Sequence, residues 1–209
     1  MSTDAEKGFS KNRLETLTDG VFAIVMTLLV LGIAVPQLTS SEVAIELPKK
    51  LLELWPVVFS YVTSFMILGF LWIGNHEQFH YITHSNRTLA WITIFYLMFV
   101  AFVPFSTALL GKYNDQQISV IIYGINIIII GSLINVKWWY VTKNHCLIDK
   151  NLDSSFVRTM SRRFLVGPIA YLIAVAVSFV SIETSLILYI ATPLYYVIPF
   201  RKDKFRGIN

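Results

Sequence analysis

Six long stretches of this chain contain no Asp, Glu, Lys or Arg, and this pattern limits the folds open to it. The stretches cover 20–41, 54–76, 88–111, 116–136, 164–182 and 184–200. Each is near the ~17–25 residues that an α-helix needs to cross a bilayer. Hydrophobic residues make up 55% of the chain and charged residues 14%, which is typical of an integral membrane protein.

We therefore predict an all-α integral membrane protein that forms one domain over 1–209, with six transmembrane helices per subunit. The helices are expected at about 13–35, 51–80, 87–111, 116–143, 158–181 and 184–200. Pro36 is expected to end the first helix, and Pro104 to kink the third without breaking it. The 37–50 segment is expected to lie outside, with one or two short turns at the membrane surface.

The Lys and Arg residues are distributed unevenly among the segments that join these helices. With an intracellular N-terminus, only Lys49, Lys50 and Lys112 lie outside. The other fourteen lie at or near the cytoplasmic side: Lys7, Lys11, Arg13, Arg87, Lys137, Lys143, Lys150, Arg158, Arg162, Arg163, Arg201, Lys202, Lys204 and Arg206. This bias predicts a multi-pass protein of the cell membrane with both termini in the cytoplasm. The net charge of +4 is assigned to topology and to contact with anionic membrane lipid, not to nucleic acid.

Ionisable residues lie at the entrance to the first apolar stretch. Arg13 and Asp19 precede it directly, and a charge within a bilayer costs ~2.5–3.5 kcal/mol even on the lenient insertion scale. Asp19 therefore requires a partner, which we expect on the second helix. The candidates are the indole donor of Trp72 and the side chains of Asn75 and His76. Such a network would hold the first helix against its own subunit and leave its other face free.

Apolar residues recur along one face of the first helix. Ile24, Leu28 and Leu31 are spaced i, i+4 and i+7, and Thr27 lies beside them. Residues with this spacing share one face of a helix. The spacing alone is more typical of a lipid-facing or core-facing stripe than of a pore. Val25 is assigned to a lipid-facing position.

The motif R-x-x-x-L-T-D, formed by Arg13, Leu17, Thr18 and Asp19, precedes this stripe. It resembles R-x-x-x-F-S-D, the first-helix signature of the endolysosomal potassium channel family called transmembrane protein 175, which has bacterial and archaeal homologues. Leu17 replaces the family's Phe, and Thr18 replaces its Ser. The apolar side chain and the hydroxyl are thus kept with altered shapes.

The resemblance continues in the second helix. The sequence from Trp72 to His76 reads W-I-G-N-H, which is similar to the family's Trp followed by a pair of histidines. Asn75 stands in place of the first histidine. Asparagine can keep a hydrogen-bonding role at that position but not a titrating one.

The resemblance implies a bacterial or archaeal single-repeat member that assembles as a homotetramer, with the four first helices around a central pore. Ile24, Leu28 and Leu31 would form apolar rings that act as a hydrophobic gate. Thr27 would add a ring of hydroxyls for ion selectivity, whereas the family's serine before the first ring is Ala23 here. The implied function is leak-type, potassium-selective conduction. Potassium is then the permeant ion, and no cofactor, metal or enzymatic step is implied.

One alternative is a membrane-embedded zinc metalloprotease. His76, Glu77 and His80 match H-E-x-x-H, in which two histidines bind zinc and the glutamate acts as base. A third ligand is required, and the next histidine, His84, lies ~12 Å from His76 along a straight helix. Other candidates would need folding that the sequence does not support: Asp115, His145 and Asp149.

A secondary transporter is the other alternative. Asp19, Asn126 and Asn135 are polar residues that could mark a substrate site near the bilayer midplane. The chain lacks the internal repeat that would favour this class. We expect Asn126 and Asn135 to form hydrogen bonds between helices instead.

Overall fold

A computed structural model of the chain describes residues 10–143, 147–148 and 152–197, and the side chains of 195–197 are left aside. Its helices are α1 (Lys11–Leu28), α2 (Val43–Glu53), α3 (Trp55–Tyr81), α4 (Arg87–Ala101), α5 (Val103–Lys112), α6 (Gln117–Thr142), α7 (Ser154–Val177) and α8 (Ile182–Val197). A 3-10 turn, Leu29–Gly32, follows α1. Within the described ranges the extended structure amounts to an isolated bridge between Ile82 and Ile148. The all-helical class predicted from the sequence is confirmed.

Several predicted features lie outside the described residues. They include the basic tail at 201–206 and the cations Lys7 and Lys150. The metal-ligand candidates His145 and Asp149 also fall there. The fold below therefore concerns the remaining residues.

Five segments of the described chain are helical, long and apolar enough to cross a membrane: Lys11–Gly32, Trp55–Tyr81, Arg87–Lys112, Gln117–Thr142 and Ser154–Val177. The last helix, α8, is apolar but has 16 residues. At ~1.5 Å per residue it extends ~24 Å, less than the ~30 Å of a hydrocarbon core. The sixth membrane crossing therefore stays a prediction.

The first helix ends earlier than Pro36. The α-helical part stops at Leu28, the chain tightens into the 3-10 turn, and Ile33, directly after that turn, has extended backbone. Pro36 disfavours helical backbone at the residue before it, and Gly32 has the lowest helix propensity of any residue except proline. The expected helix at 13–35 was thus too long at its C-terminal end.

Pro104 separates two helices. The α4 helix ends at Ala101, and α5 begins at Val103 with Pro104 in its first turn. Proline lacks an N–H group, and its ring clashes with the carbonyl four residues earlier. It is tolerated where that N–H would have no partner anyway. The expected third span is thus present as Arg87–Lys112, but its helix is interrupted at Phe102.

The segment between the first two spans is more regular than expected. It contains α2, a helix of 11 residues, where short turns were predicted. Its apolar and charged residues lie on opposite sides, with Ile45 and Leu52 strongly exposed on the apolar side. Lys50 donates a 2.9 Å hydrogen bond to Glu53 on the charged side. This amphipathic pattern is typical of a helix at a membrane surface.

The α7 helix begins at Ser154, four residues before the expected start. The carboxylate of Asp153 accepts hydrogen bonds from the hydroxyl (2.5 Å) and the backbone N–H (2.9 Å) of Ser155. These bonds lower the pKa of Asp153. A side chain in this N-cap position satisfies an N–H group that has no partner inside the helix, which explains the earlier start.

The α6 helix lies at the centre of the subunit, where α4, α5 and α7 pack against it. Asn126 in α6 donates to the hydroxyl of Ser106 in α5 over 3.2 Å. Asn135 donates to the carbonyl of Phe164 in α7 over 2.8 Å. The predicted interhelical hydrogen bonds of both asparagines are confirmed.

The α1 helix packs against α3 and α4. Val25 is 3% exposed and belongs to the core of the subunit. Its assignment to lipid was wrong, because it lies on the same face of α1 as Phe22 and Leu29, which are also buried. These three buried residues mark the side of α1 that faces its own subunit.

Candidate pore-lining face of the first helix

The two sides of α1 differ in burial. Five residues face the subunit interior and are buried: Leu14, Thr18, Phe22, Val25 and Leu29. The opposite side is exposed, with Leu17 at 46%, Ile24 at 60% and Leu28 at 43%. Gly20, Ala23 and Thr27 are exposed between them. The stripe predicted from spacing therefore lies on a surface that the described part of the subunit does not cover.

Leu31 belongs to the 3-10 turn and is 74% exposed. In a 3-10 helix, side chains three residues apart lie above one another. Leu31 therefore stays on the side of Leu28 although the α-helix has ended. Ile24, Leu28 and Leu31 therefore lie on the same side of the first span, as predicted. Leu31, however, lies in the 3-10 turn beyond the end of the α-helix.

Thr27 presents a hydroxyl on the same surface. Its Oγ1 donates to the backbone carbonyls of Ile24 (2.8 Å) and Ala23 (3.1 Å). The single hydroxyl hydrogen is thus directed into the helix. The oxygen lone pairs are left to accept, which is the polarity that a cation requires.

Asp19 is held by a residue of α3. The indole Nε1–H of Trp72 donates to Asp19 Oδ1 over 2.8 Å. The ring of His76 stacks on Trp72 with centroids 5.9 Å apart, and His76 Nδ1 lies 3.6 Å from Glu15 Oε1. Two acidic residues of α1 therefore meet one short segment of α3.

The remaining motif residues have separate roles. Thr18 is buried, and its hydroxyl donates to the carbonyl of Leu14 over 2.8 Å within the helix. Leu17 is exposed at the start of the apolar stripe. Arg13 is exposed, and no residue of the described chain forms an ion pair with it. The structure thus brings Asp19, but not Arg13, into contact with α3.

Asn75 does not join the Asp19 contact. It is buried on another side of α3, where its Oδ1 accepts a hydrogen bond from Lys137 Nζ. Lys137 is 0% exposed, so the subunit encloses its side chain, and its placement near the cytoplasmic side stays a prediction. Its position at the end of the uncharged stretch 116–136 suggested a boundary charge. The aliphatic stem is long enough to turn inward, and α6 continues to Thr142.

The H-E-x-x-H segment lies at the C-terminal end of α3. Glu77 Oε2 is 3.9 Å from Arg163 Nη1 of α7, and His80 packs edge-on against Tyr81. No group of three His, Cys, Asp or Glu that could hold a metal ion occurs among the residues that the structure describes. Within the subunit, Glu77 thus contacts Arg163 of α7, and His76 contacts Glu15 of α1.

Together, these features define an integral membrane protein whose first helix is anchored on one side by Asp19 and bare on the other. The family model described as the endosomal/lysosomal potassium channel TMEM175 matches residues 13–104. A potassium channel of Streptomyces collinus is 32% identical over 188 residues, which cover 88% of this chain and 90% of that protein. A potassium channel of Chamaesiphon minutus is 31% identical over 198 residues, or 93% and 97% of the two chains.

A solved structure agrees with these sequence relatives. The crystal structure of a lysosomal potassium-selective channel TMEM175 homologue from Chamaesiphon minutus superposes with a TM-score of 0.79 at 30% identity, covering 90% of this chain and 96% of that one. The chain belongs to the TMEM175 potassium channel family. It is a member of a channel family, not of an enzyme family, and the protease and transporter alternatives have no support.

Proposed function

We propose that four copies of this chain form a leak-type, potassium-selective channel of the cell membrane in which the exposed side of α1 lines the pore. The observation that carries the proposal is the uncovered stripe of Leu17, Ile24, Leu28 and Leu31 on a helix whose other side is buried. The solved relative is described as a potassium-selective channel. A symmetric assembly would bring the four stripes together around one axis.

The composition of the stripe favours a pore over a lipid-facing surface. Lipid contact requires only apolar side chains, yet Gly20, Ala23 and Thr27 interrupt the large ones. Small residues let helices approach closely in a membrane. The hydroxyl of Thr27 has lone pairs free to replace part of the hydration shell of an ion.

Ile24 is proposed as the narrowest constriction. It is the first large side chain of the stripe beyond Gly20, and Leu28 and Leu31 continue the apolar lining. A closed ring of isoleucines excludes water by dewetting, whereas a slightly wider ring passes partly hydrated cations. Ile24 would therefore act as the gate. It would also form a barrier whose height depends on how strongly the ion is hydrated.

We propose six crossings, with α8 as the sixth, so that both termini lie in the cytoplasm. Lys49, which is exposed, and Lys50, which is half-buried, both on α2, would then lie outside. Membrane lipid would surround the tetramer, and potassium would be the ion conducted.

The test is ion flux through purified protein in liposomes, with potassium and sodium gradients. Wild-type protein should pass potassium without a second ion gradient, in particles of four chains. Ile24→Asn should raise the flux several-fold and move the reversal potential toward that of sodium, because a wetter opening discriminates less between hydrated ions.

The control is Val30→Asn, which places the same polar group at another exposed position of the first span. It should leave the conductance and the reversal potential near the wild-type values. Changes with Val30→Asn and none with Ile24→Asn would place the pore on a different face of α1. A strict requirement for a coupled ion gradient would contradict channel activity altogether.

A further inference from the structure

Lys137 is a basic residue enclosed within the membrane-spanning part of the subunit. Its side chain is fully buried, and its Nζ donates to Asn75 Oδ1 of α3. The Nζ also lies over two aromatic faces, 4.7 Å from the ring centroid of Phe79 and 5.3 Å from that of Tyr96. Among the described residues no carboxylate lies within ion-pair distance of it. An amide oxygen and two rings therefore form the whole described environment of this amine.

These contacts join α6 to the helices that support α1. Asn75 and Phe79 belong to α3, and Tyr96 belongs to α4. The α1 helix packs against both α3 and α4. Lys137 belongs to α6, which does not adjoin the candidate pore face. The amine thus lies one layer behind α1.

Two connections lead from Lys137 to α1, one through the backbone of α3 and one through packed rings. On the α3 side, Asn75 is three residues from Trp72, which donates to Asp19 of α1. On the α4 side, the ring of Tyr96 packs against Phe22 of α1 with centroids 6.1 Å apart. Both paths begin at the same nitrogen atom.

The hydrogen bond to Asn75 constrains the rotation of α3 about its axis. Asn75 and Trp72 lie on one helix, so a rotation that breaks the bond to Lys137 Nζ also moves the indole of Trp72. Because a buried polar group without a partner is costly, the bond resists that rotation. The position of Trp72, and with it the anchor of Asp19, depends on Lys137.

We infer that Lys137 is a positioning residue for the pore helix and that it acts through Asn75 and Trp72 on Asp19. The inference rests on the proposed function in one respect, namely that α1 lines the pore. It assigns to a residue of α6 an effect on conduction that does not require contact with the ion.

The experiment is a double-mutant cycle with Lys137→Met and Asp19→Ala, which removes the acceptor of the Trp72 indole, measured as potassium flux per tetramer in liposomes. Methionine keeps most of the length of the side chain and removes the donor. Each single variant should lower the flux, by roughly two- to tenfold for coupled residues. Because both changes release the same anchor, the double variant should conduct no less than Asp19→Ala alone. Losses that multiply would overturn the inference.

Asn126→Leu is the matched control, since Asn126 also forms a buried hydrogen bond between α6 and another helix but has no described contact with α3 or α1. Its effect should multiply with that of Asp19→Ala. If Lys137→Met does not yield folded protein, Asn75→Leu removes the acceptor of the same bond and replaces it in the cycle.

The same cycle is also measured as shifts in Tm of the purified protein, which do not depend on conduction. Absent wild-type flux would contradict the proposed function alone, and non-additive shifts in Tm would still support the positioning role of Lys137. Additive shifts in Tm together with multiplied losses of flux would contradict the positioning role while leaving channel activity in place.

Discussion

At the scale of single residues, the direction of one hydroxyl decides what Thr27 can do. Its hydrogen is directed to the carbonyls of Ala23 and Ile24, so the oxygen faces the exposed side as an acceptor. Hydroxyls that bond back to the preceding turn are common in helices. On this face the arrangement favours a cation over an anion.

We predict that Thr27→Ala lowers the potassium-to-sodium permeability ratio more than it lowers the conductance. Loss of an acceptor worth about 0.5–1.5 kcal/mol corresponds to a change of roughly two- to tenfold in the ratio. The measurement is the reversal potential in bilayers under potassium and sodium gradients. Thr27→Ser keeps the hydroxyl and should retain the ratio, so equal losses in both variants would argue against a role for the oxygen.

The neighbours of Lys137 likewise determine the direction in which its side chain extends. A lysine at the centre of a membrane helix costs ~2.5–3.5 kcal/mol on the lenient scale. Lys137 lies nearer the C-terminal end of α6, and the Asn75 oxygen and two aromatic faces receive its amine. A side chain that could have extended to the aqueous boundary instead connects three helices. Its neighbours, not its residue type, decide between these outcomes.

At the scale of helices, close packing of α5 on α3 depends on a glycine. A Cβ atom added at Gly111 would lie 2.8 Å from the backbone Cα of Val57. Backbone atoms cannot move aside as a flexible side chain can. The two helices could approach this closely only because Gly111 has no side chain, an arrangement that is common in membrane bundles.

Gly111→Ala should therefore destabilise the protein. Alanine improves helix propensity by roughly 0.5–1 kcal/mol, but overpacking costs about 1–3 kcal/mol, and the clash with backbone places the cost at the upper end. The expected outcome is a lower Tm in detergent.

Gly69→Ala is the control for this prediction, because nothing lies within 4 Å of a Cβ built at Gly69 in α3. Its Tm should be unchanged or slightly raised. A Tm of Gly111→Ala that equalled or exceeded the value for Gly69→Ala would show that α3 and α5 can separate at no cost.

At the scale of the whole molecule, charge asymmetry predicts the orientation in the membrane. Lys137 is buried within the subunit, whereas Arg158 and Arg162 are exposed before the apolar part of α7. Lys49 lies exposed on α2 at the other end of the spans. The bias toward a cytoplasmic N-terminus is retained.

Cysteine labelling tests this orientation. In a background of Cys146→Ala, which removes the single native cysteine, Ser41→Cys should react with a membrane-impermeant thiol reagent added outside intact cells. Ser154→Cys should react only after the membrane is opened. Both serines are exposed, so burial does not explain a difference, and the reverse pattern would invert the topology.

The sequence predicted the hydrogen bond between Trp72 and Asp19 but not the one between Lys137 and Asn75. Trp72 was among the candidate partners of Asp19 because an exposed carboxylate near a membrane needs a donor, and the indole is a donor without an acceptor. Asn75 was a candidate on the same grounds. Its actual partner, Lys137, is 62 residues away in the chain, and no local pattern connects the two.

The sequence by itself determined the helical class, most of the membrane spans and the spacing of the stripe on α1. It could do so because lipid offers no hydrogen bonds to the backbone, so every long apolar stretch must be helical. The tertiary structure alone decided which side of α1 is buried, where Val25 lies and which group receives Lys137. These outcomes depend on contacts between helices that are distant in the chain, and any apolar side of a membrane helix can face either lipid or protein.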